Sequence, residues 1–222
     1  MPRMHSMRRS LSVPCRHAGA VVPVNEFNVA IAGVGGQGSV VLAQLIARAA
    51  QTDGFEVQTG ETLGMAQRGG SVVSFVRYGK RVYTPLVPEH EAHILISLEP
   101  AEALRSIRYV GASTSVLLNT RTKRPLGVLL GEQKYPELKE IEATLNSAGA
   151  KTFAFDAAEL AEKAGNAKSA NVCLLGGMAA LDSHVKLDSY KIALKEVLSE
   201  RSLQANEQAF DLGYETVLAL RN

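Results

Sequence analysis

The sequence predicts an α/β fold: a mostly parallel sheet with an antiparallel hairpin and a helical C-terminal extension. Three observations carry this. Short apolar runs alternate with longer stretches whose apolar residues recur at helical spacing. The first apolar run ends in Gly33-Val34-Gly35-Gly36-Gln37-Gly38, which leads directly into a helical pattern. From about residue 168 to residue 220 the pattern is helical. A strand, a glycine turn and a helix in that order open a Rossmann-like unit, whose crossovers are right-handed.

Residues 27–32 (FNVAIA) are a buried first strand, since the short run is apolar but for Asn28 and ends in glycines. Residues 39–50 (SVVLAQLIARAA) form a helix that Thr52-Asp53-Gly54 ends. Residues 55–58 are a second strand. Residues 71–78 (SVVSFVRY) are β-branched and aromatic, with Gly79-Lys80 as a hairpin turn and 81–84 returning. Residues 93–98 (HILISL) and 114–119 (TSVLLN) are further buried strands. Between them Glu99-Pro100 opens a helix to Arg105, because proline suits a first helical turn. Residues 136–148 form a helix closed by Gly149. Residues 151–155 are a strand, and Asp156 caps a helix through Lys163. Gly176-Gly177 inside the next helical run costs about 1 kcal/mol per glycine relative to alanine, which close helix packing or a break would explain.

Composition narrows the function classes. The chain has 222 residues, 46% hydrophobic and 21% charged, the balance of an ordinary globular protein. A net charge of +2 gives no argument for nucleic acid. No apolar run approaches the roughly 20 residues of a membrane helix. The two cysteines, Cys15 and Cys173, lie far apart. They cannot supply the four ligands an iron–sulfur cluster generally takes, and they imply no disulfide framework, so the expected compartment is the reducing cytoplasm. Residues 1–25 stand apart: Arg3, Arg8, Arg9 and Arg16 precede the first acid, Glu26. A disordered basic tail and a targeting peptide are both open readings of this stretch. Residues 26–220 are expected to form a single domain.

Two glycine-rich segments carry the chemistry. Gly33, Gly35 and Gly38 satisfy G-x-G-x-x-G between a strand and a helix. Glycine there permits a tight turn and close approach of a ligand, and free N–H groups at the helix start suit a phosphate or other anion. A ligand-free packing turn is the alternative. An acid on ribose, expected about 20 residues on, is absent or displaced: Gln58 takes the natural place and Glu61 lies beyond it. That weakens an NAD reading. The second segment, 60–70 (GETLGMAQRGG), links two strands. Arg68 beside Gly69-Gly70 either presents a guanidinium fork to a phosphate or carboxylate, or is a surface arginine in a flexible loop. His90 and His93 lack helical zinc-pair spacing, and Ser113, Thr114 and Ser115 have no histidine nearby in sequence to activate them, so metal binding and nucleophilic catalysis have little support.

Together, 33–38 and 61–70 resemble the gamma-type subunits and domains of 2-oxoacid:ferredoxin oxidoreductases, most nearly the small subunits of the indolepyruvate enzymes. Weaker matches are 98–103, 119–125, 171–176 and 206–213, so the likeness runs from about 27 to 218. Ser39 departs from the pattern, standing where an apolar residue is expected. The resemblance implies a subunit inactive alone. A large partner would hold thiamine diphosphate and [4Fe–4S] clusters, decarboxylate a 2-oxo acid such as an aryl pyruvate, pass electrons to ferredoxin and deliver the acyl group to coenzyme A. It further implies ligand or partner contacts at Gly33, Gly35, Gly36, Gln37, Gly38, Glu61, Gln67, Arg68, Gly69 and Gly70, with no catalytic residue and no metal in this chain. A homodimer stays open. The competing readings are a stand-alone NAD(P)-dependent oxidoreductase and a non-enzymatic Rossmann-like binding module.

Overall fold

Neighbouring side chains on a strand point to opposite faces, and the first strand uses both. The structure, a computed structural model, describes residues 24–62, 70–123 and 134–222. In strand β1 (Glu26–Val34), Val29 and Ile31 enter one apolar core and Ala30 and Ala32 the other. Chain order continues with α1 (Ser39–Thr52), β2 (Glu56–Thr62), β3 (Ser71–Gly79), β4 (Ile94–Ser97), α2 (Pro100–Arg105) and β5 (Ser115–Asn119). It ends with α3 (Leu138–Ser147), β6 (Lys151–Phe155), α4 (Ala157–Lys163), α5 (Ala170–Leu181), α6 (Leu187–Val197) and α7 (Glu200–Arg221).

The strands form one sheet in the order β2-β3-β1-β4-β5-β6. β1, β4, β5 and β6 are parallel, while β3 runs against both β1 and β2. Helices α1 and α4 to α7 cover one face. The other face is covered by α2, α3 and the segment carrying Val87 and Ala92. The C-terminal helices are therefore a full layer of the α/β sandwich. α5 and α7 cross with backbones nearly touching: a Cβ on Gly176 would lie 2.0 Å from the Phe210 carbonyl oxygen, and one on Gly213 would lie 1.9 Å from the Cys173 carbonyl oxygen. Close packing, not a break, explains the glycines of α5.

Two expectations need correction. Residues 81–84 do not return as a strand beside β3; the antiparallel partners of β3 are β2 and β1. The reason is Arg77, nearly fully buried on the face away from α1. Its guanidinium donates to the Thr84 carbonyl at 3.0 Å and the Leu86 carbonyl at 3.2 Å, besides Asn28 Oδ1 at 2.8 Å and the Glu26 carboxylate. These bonds draw the chain after β3 across the sheet face instead of along its edge. The second strand also extends beyond 55–58, to Thr62, so Gly60 and Glu61 are strand residues. Thr62 Oγ1 ties its end to Val73 O at 3.2 Å, and glycine at 60 leaves room for Pro85, whose Cβ would lie 2.9 Å from a Cβ there.

At the opposite strand ends, His93 Nδ1 accepts the Asn28 N–H at 3.0 Å, and its ring stacks on Phe27 at 4.7 Å. Burial, and then nearby His184, hold the His93 pKa below its ordinary value. The fold binds the neutral ring, so this stabilisation is whole above the unfolded value of about 6.5 and is lost as pH falls through it toward the lower folded value. Thermal unfolding measured between pH 7.5 and 5 should show Tm falling on acidification, with a shallower fall in His93→Asn; equal slopes would contradict this. Gly213→Ala should cost about 1–3 kcal/mol or more by overpacking, read as a Tm lowered by several degrees.

Candidate functional site

Parallel strands carry the loops that follow them to one edge. From the carboxyl end of β1 the chain passes through α1 toward β2 on one side, and from β4 through α2 toward β5 on the other. The crevice between β1 and β4 is thus a topological switch point, where open α/β sheets bind ligands. The first glycine segment fills it.

Gly33, next to last in β1, packs tightly against Leu98: a Cβ would meet Leu98 Cδ1 at 3.0 Å. The turn then closes by Gln37 N–H to the Val34 carbonyl at 3.0 Å. Gly36 has φ +92° and nothing within 4 Å of a built Cβ, so the crest of the turn faces open space. Gly38 has φ +81° and precedes α1 without any side-chain cap. A Cβ on it would lie 2.7 Å from Asn171 Nδ2. The first turn of α1 holds no acid, and Ser39 is buried without capping the helix. By contrast Glu99 and Asp156 cap α2 and α4 with their side chains. The amides opening α1 therefore have no carboxyl partner within its own first turn.

A chain of polar bonds holds this edge together. Gln37 Oε1 accepts the Val34 N–H at 2.7 Å, and Gln37 Nε2 donates to the Leu98 carbonyl at 3.5 Å. The same carbonyl accepts Asn119 Nδ2 at 3.1 Å, and Asn119 Oδ1 accepts the Ala157 N–H at 3.1 Å. Asn171 Nδ2 donates to the Gln37 carbonyl at 2.6 Å. Gln37 is thus engaged within the protein and shapes the turn. Beside it the buried Glu99 carboxyl accepts the Ala101 N–H at 2.8 Å, the Lys123 N–H at 3.4 Å and the Tyr135 hydroxyl. Burial, with this bond, pushes the Tyr135 pKa up. Single polar residues at strand ends, such as Asn119, are the one sequence signal for these ties.

The second glycine segment arrives at the same place. Because β3 runs against β1, its start lies at the carboxyl end of β1, with Ser71 opposite Val34. Gly35 N–H donates to the Gly70 carbonyl at 2.8 Å, joining the two segments. Gln67, Arg68 and Gly69 lie outside the described residues. Glu61 stands on β2 opposite Ser74, exposed, beside Val40, Ala43 and Gln44 of α1. With β3 between them, Glu61 is two strand spacings, about 10 Å, from β1. A ribose-binding acid would sit on the strand next to β1, so Glu61 does not take that place.

The edge presents backbone N–H groups of the kind that suit an anion, and its buried Glu99 and its Asp156 are engaged as helix caps, Asp156 also pairing with Arg121 at 3.2 Å. Cys173 is buried in α5, its thiol pushed up to about 12 by desolvation. Among the described residues, no group of three or more His, Cys, Asp or Glu side chains is arranged to hold a metal ion.

Residues 28–216 match the pyruvate ferredoxin/flavodoxin oxidoreductase family. The chain is 40% identical over 196 residues to indolepyruvate oxidoreductase subunit IorB of Archaeoglobus fulgidus, covering 88% of this chain and 97% of that one. It is 37% identical over 201 residues to the subunit of the same name from Pyrococcus horikoshii, covering 90% and 100%. The crystal structure of a keto/oxoacid ferredoxin oxidoreductase gamma subunit from Geobacter sulfurreducens shares the fold at TM-score 0.66 and 23% identity, over 87% of this chain and 99% of that one. With the joined glycine segments, these matches show that the chain belongs to the pyruvate ferredoxin/flavodoxin oxidoreductase family, in which these relatives are subunits.

Proposed function

We propose that this chain is the small, gamma-type subunit of an indolepyruvate or related aryl-pyruvate ferredoxin oxidoreductase and contributes the coenzyme A side of a site whose reactive groups lie in a larger partner. The observation that carries this is the Gly35–Gly70 hydrogen bond, which makes one surface of two separate sequence segments. Thiamine diphosphate in the partner would supply carbanion chemistry on the 2-oxo acid, and iron–sulfur clusters there would pass electrons to ferredoxin. Two cysteines, one of them buried, do not make a four-cysteine cluster site in this chain.

The residues of this chain would then bind and orient. The N–H groups of the glycine turn and the uncapped start of α1 suit the phosphates of coenzyme A. Arg68, two residues before the Gly70 that bonds to the turn, adds a guanidinium fork for the same phosphates. The Gln37 and Asn171 bonds keep the turn in its binding shape. Gly69 and Gln67 flank that arginine, and Glu61 borders the surface on the β2 side.

Co-expression with a large thiamine-binding, iron–sulfur subunit of this family should give a stable complex that oxidises aryl pyruvates with coenzyme A and ferredoxin, while the isolated chain turns over none. In that complex Arg68→Ala should raise KM for coenzyme A about tenfold or more, the scale of one lost charge-assisted bond, and change kcat less. An active isolated chain, or tight NAD(P) binding by calorimetric titration, would overturn the reading.

A further inference from the structure

An edge strand leaves alternate N–H and C=O groups free to pair with another chain, and proteins blunt such edges with short strands, lysine, proline or a cover. The two edges of this sheet differ. β6 has five residues and begins with Lys151. β2 has seven, EVQTGET, with neither lysine nor proline, and among the described residues nothing pairs with its outer side. Its centre, Gln58-Thr59-Gly60, is uncharged, and its charges are Glu56 and Glu61 near the two ends.

Both faces beside this edge expose apolar side chains. On the α1 face, Val40, Ala43 and Gln44 form with Thr59, Gly60 and Glu61 a groove of about 410 Å³. Val40 and Val41 are each 41% exposed. On the other face the chain crosses β2 between Val82, whose N–H reaches Glu56 Oε2 at 3.3 Å, and Pro85 over Gly60. That crossing exposes Tyr83 at 77% and Leu86 at 54%. Val40, Tyr83 and Leu86, three of the six large apolar side chains exposed among the described residues, therefore lie beside one strand edge.

We infer that the outer edge of β2 is a docking strand: an extended segment of the large partner subunit pairs with it, sets an apolar side chain into the α1–β2 groove, and places lysine or arginine against Glu56 and Glu61. The inference rests on the partner proposed above. Charge decides the occupant. Two copies of this chain pairing β2 to β2 would set two carboxylates on each face of the seam with no lysine or arginine of β2 to meet them, since Glu56 and Glu61 face opposite sides. A basic-flanked strand from a different chain meets the same edge with attraction, in the manner of strand addition.

Hydrogen exchange on the full chain, free and in the co-expressed complex, tests this directly. In the complex, peptides spanning 56–62 should exchange about tenfold or more slowly than in the free chain. Val40→Asp combined with Tyr83→Asp should weaken the complex about tenfold or more, with the Tm of the free chain unchanged, while Ile192→Asp on α6 should not weaken it. A complex that forms with β2 exchanging as before overturns this inference and leaves the subunit reading intact; no complex at all overturns both. Protection of β2 in the free chain also overturns it, assigning the edge to a second copy if protection follows dimer formation in sedimentation, or to residues 1–23 if their removal abolishes it.

Discussion

The reversed direction of β3 is the constraint on which the site depends. In a wholly parallel sheet every strand begins at the edge opposite the ligand loops. β3 alone runs against its neighbours, so its first residues lie where β1 ends. That direction lets the Gly35 N–H meet the Gly70 carbonyl at 2.8 Å. Inserting β3 next to β1 has a second effect: it pushes β2 outward to the sheet edge. The site that a dinucleotide-binding fold uses for ribose, on the strand adjoining β1, is thereby displaced, and among the described residues the outer side of β2 has no strand partner. One topological feature accounts both for the meeting of the glycine segments and for the surface beside them.

The carboxyl edge is held by side chains that act on backbone. Gln37, Asn119 and Asn171 form bonds that connect β1, β4, β5, α4 and α5. Gln37 and Asn119 each donate and accept at once, so a single amide can satisfy groups from two elements, and Asn171 donates to the Gln37 carbonyl. Glu99 does the same with a carboxyl, receiving N–H groups from α2 and from the chain after β5 together with the Tyr135 hydroxyl. The result is a preformed turn whose outward amides remain available. Beneath it, the backbone contact between α5 and α7 at Gly176 and Gly213 keeps the helical layer close to the sheet.

The parallel part of the fold was legible in the sequence because its strands are buried on both faces. The runs FNVAIA, HILISL and TSVLLN need no partner to be recognised, and glycine or proline borders each of helices α1 to α4. The path of β3 was not legible. Hairpin chemistry at Gly79-Lys80 is sound local evidence, but Arg77 binds two carbonyls beyond the turn and redirects the chain. The length of β2 was hidden by Gly60, which is unfavourable for a strand until Pro85 is seen to lie on it. At the site, the glycines were readable since each fixes a backbone shape, whereas Asn119 and Asn171 matter only through residues far along the chain.

On the proposed reading the reacting groups lie in a larger partner and this chain binds and orients. Its described residues present a shaped glycine turn at the carboxyl edge and exposed apolar side chains beside β2. The most direct test is an electron cryo-microscopy structure of the assembled enzyme with coenzyme A. The account predicts coenzyme A phosphates within hydrogen-bond reach of the amides from Gly36 to Ser39, with Gly70 alongside. Coenzyme A bound elsewhere in the assembly, with the glycine turn of this chain facing only solvent, would contradict it.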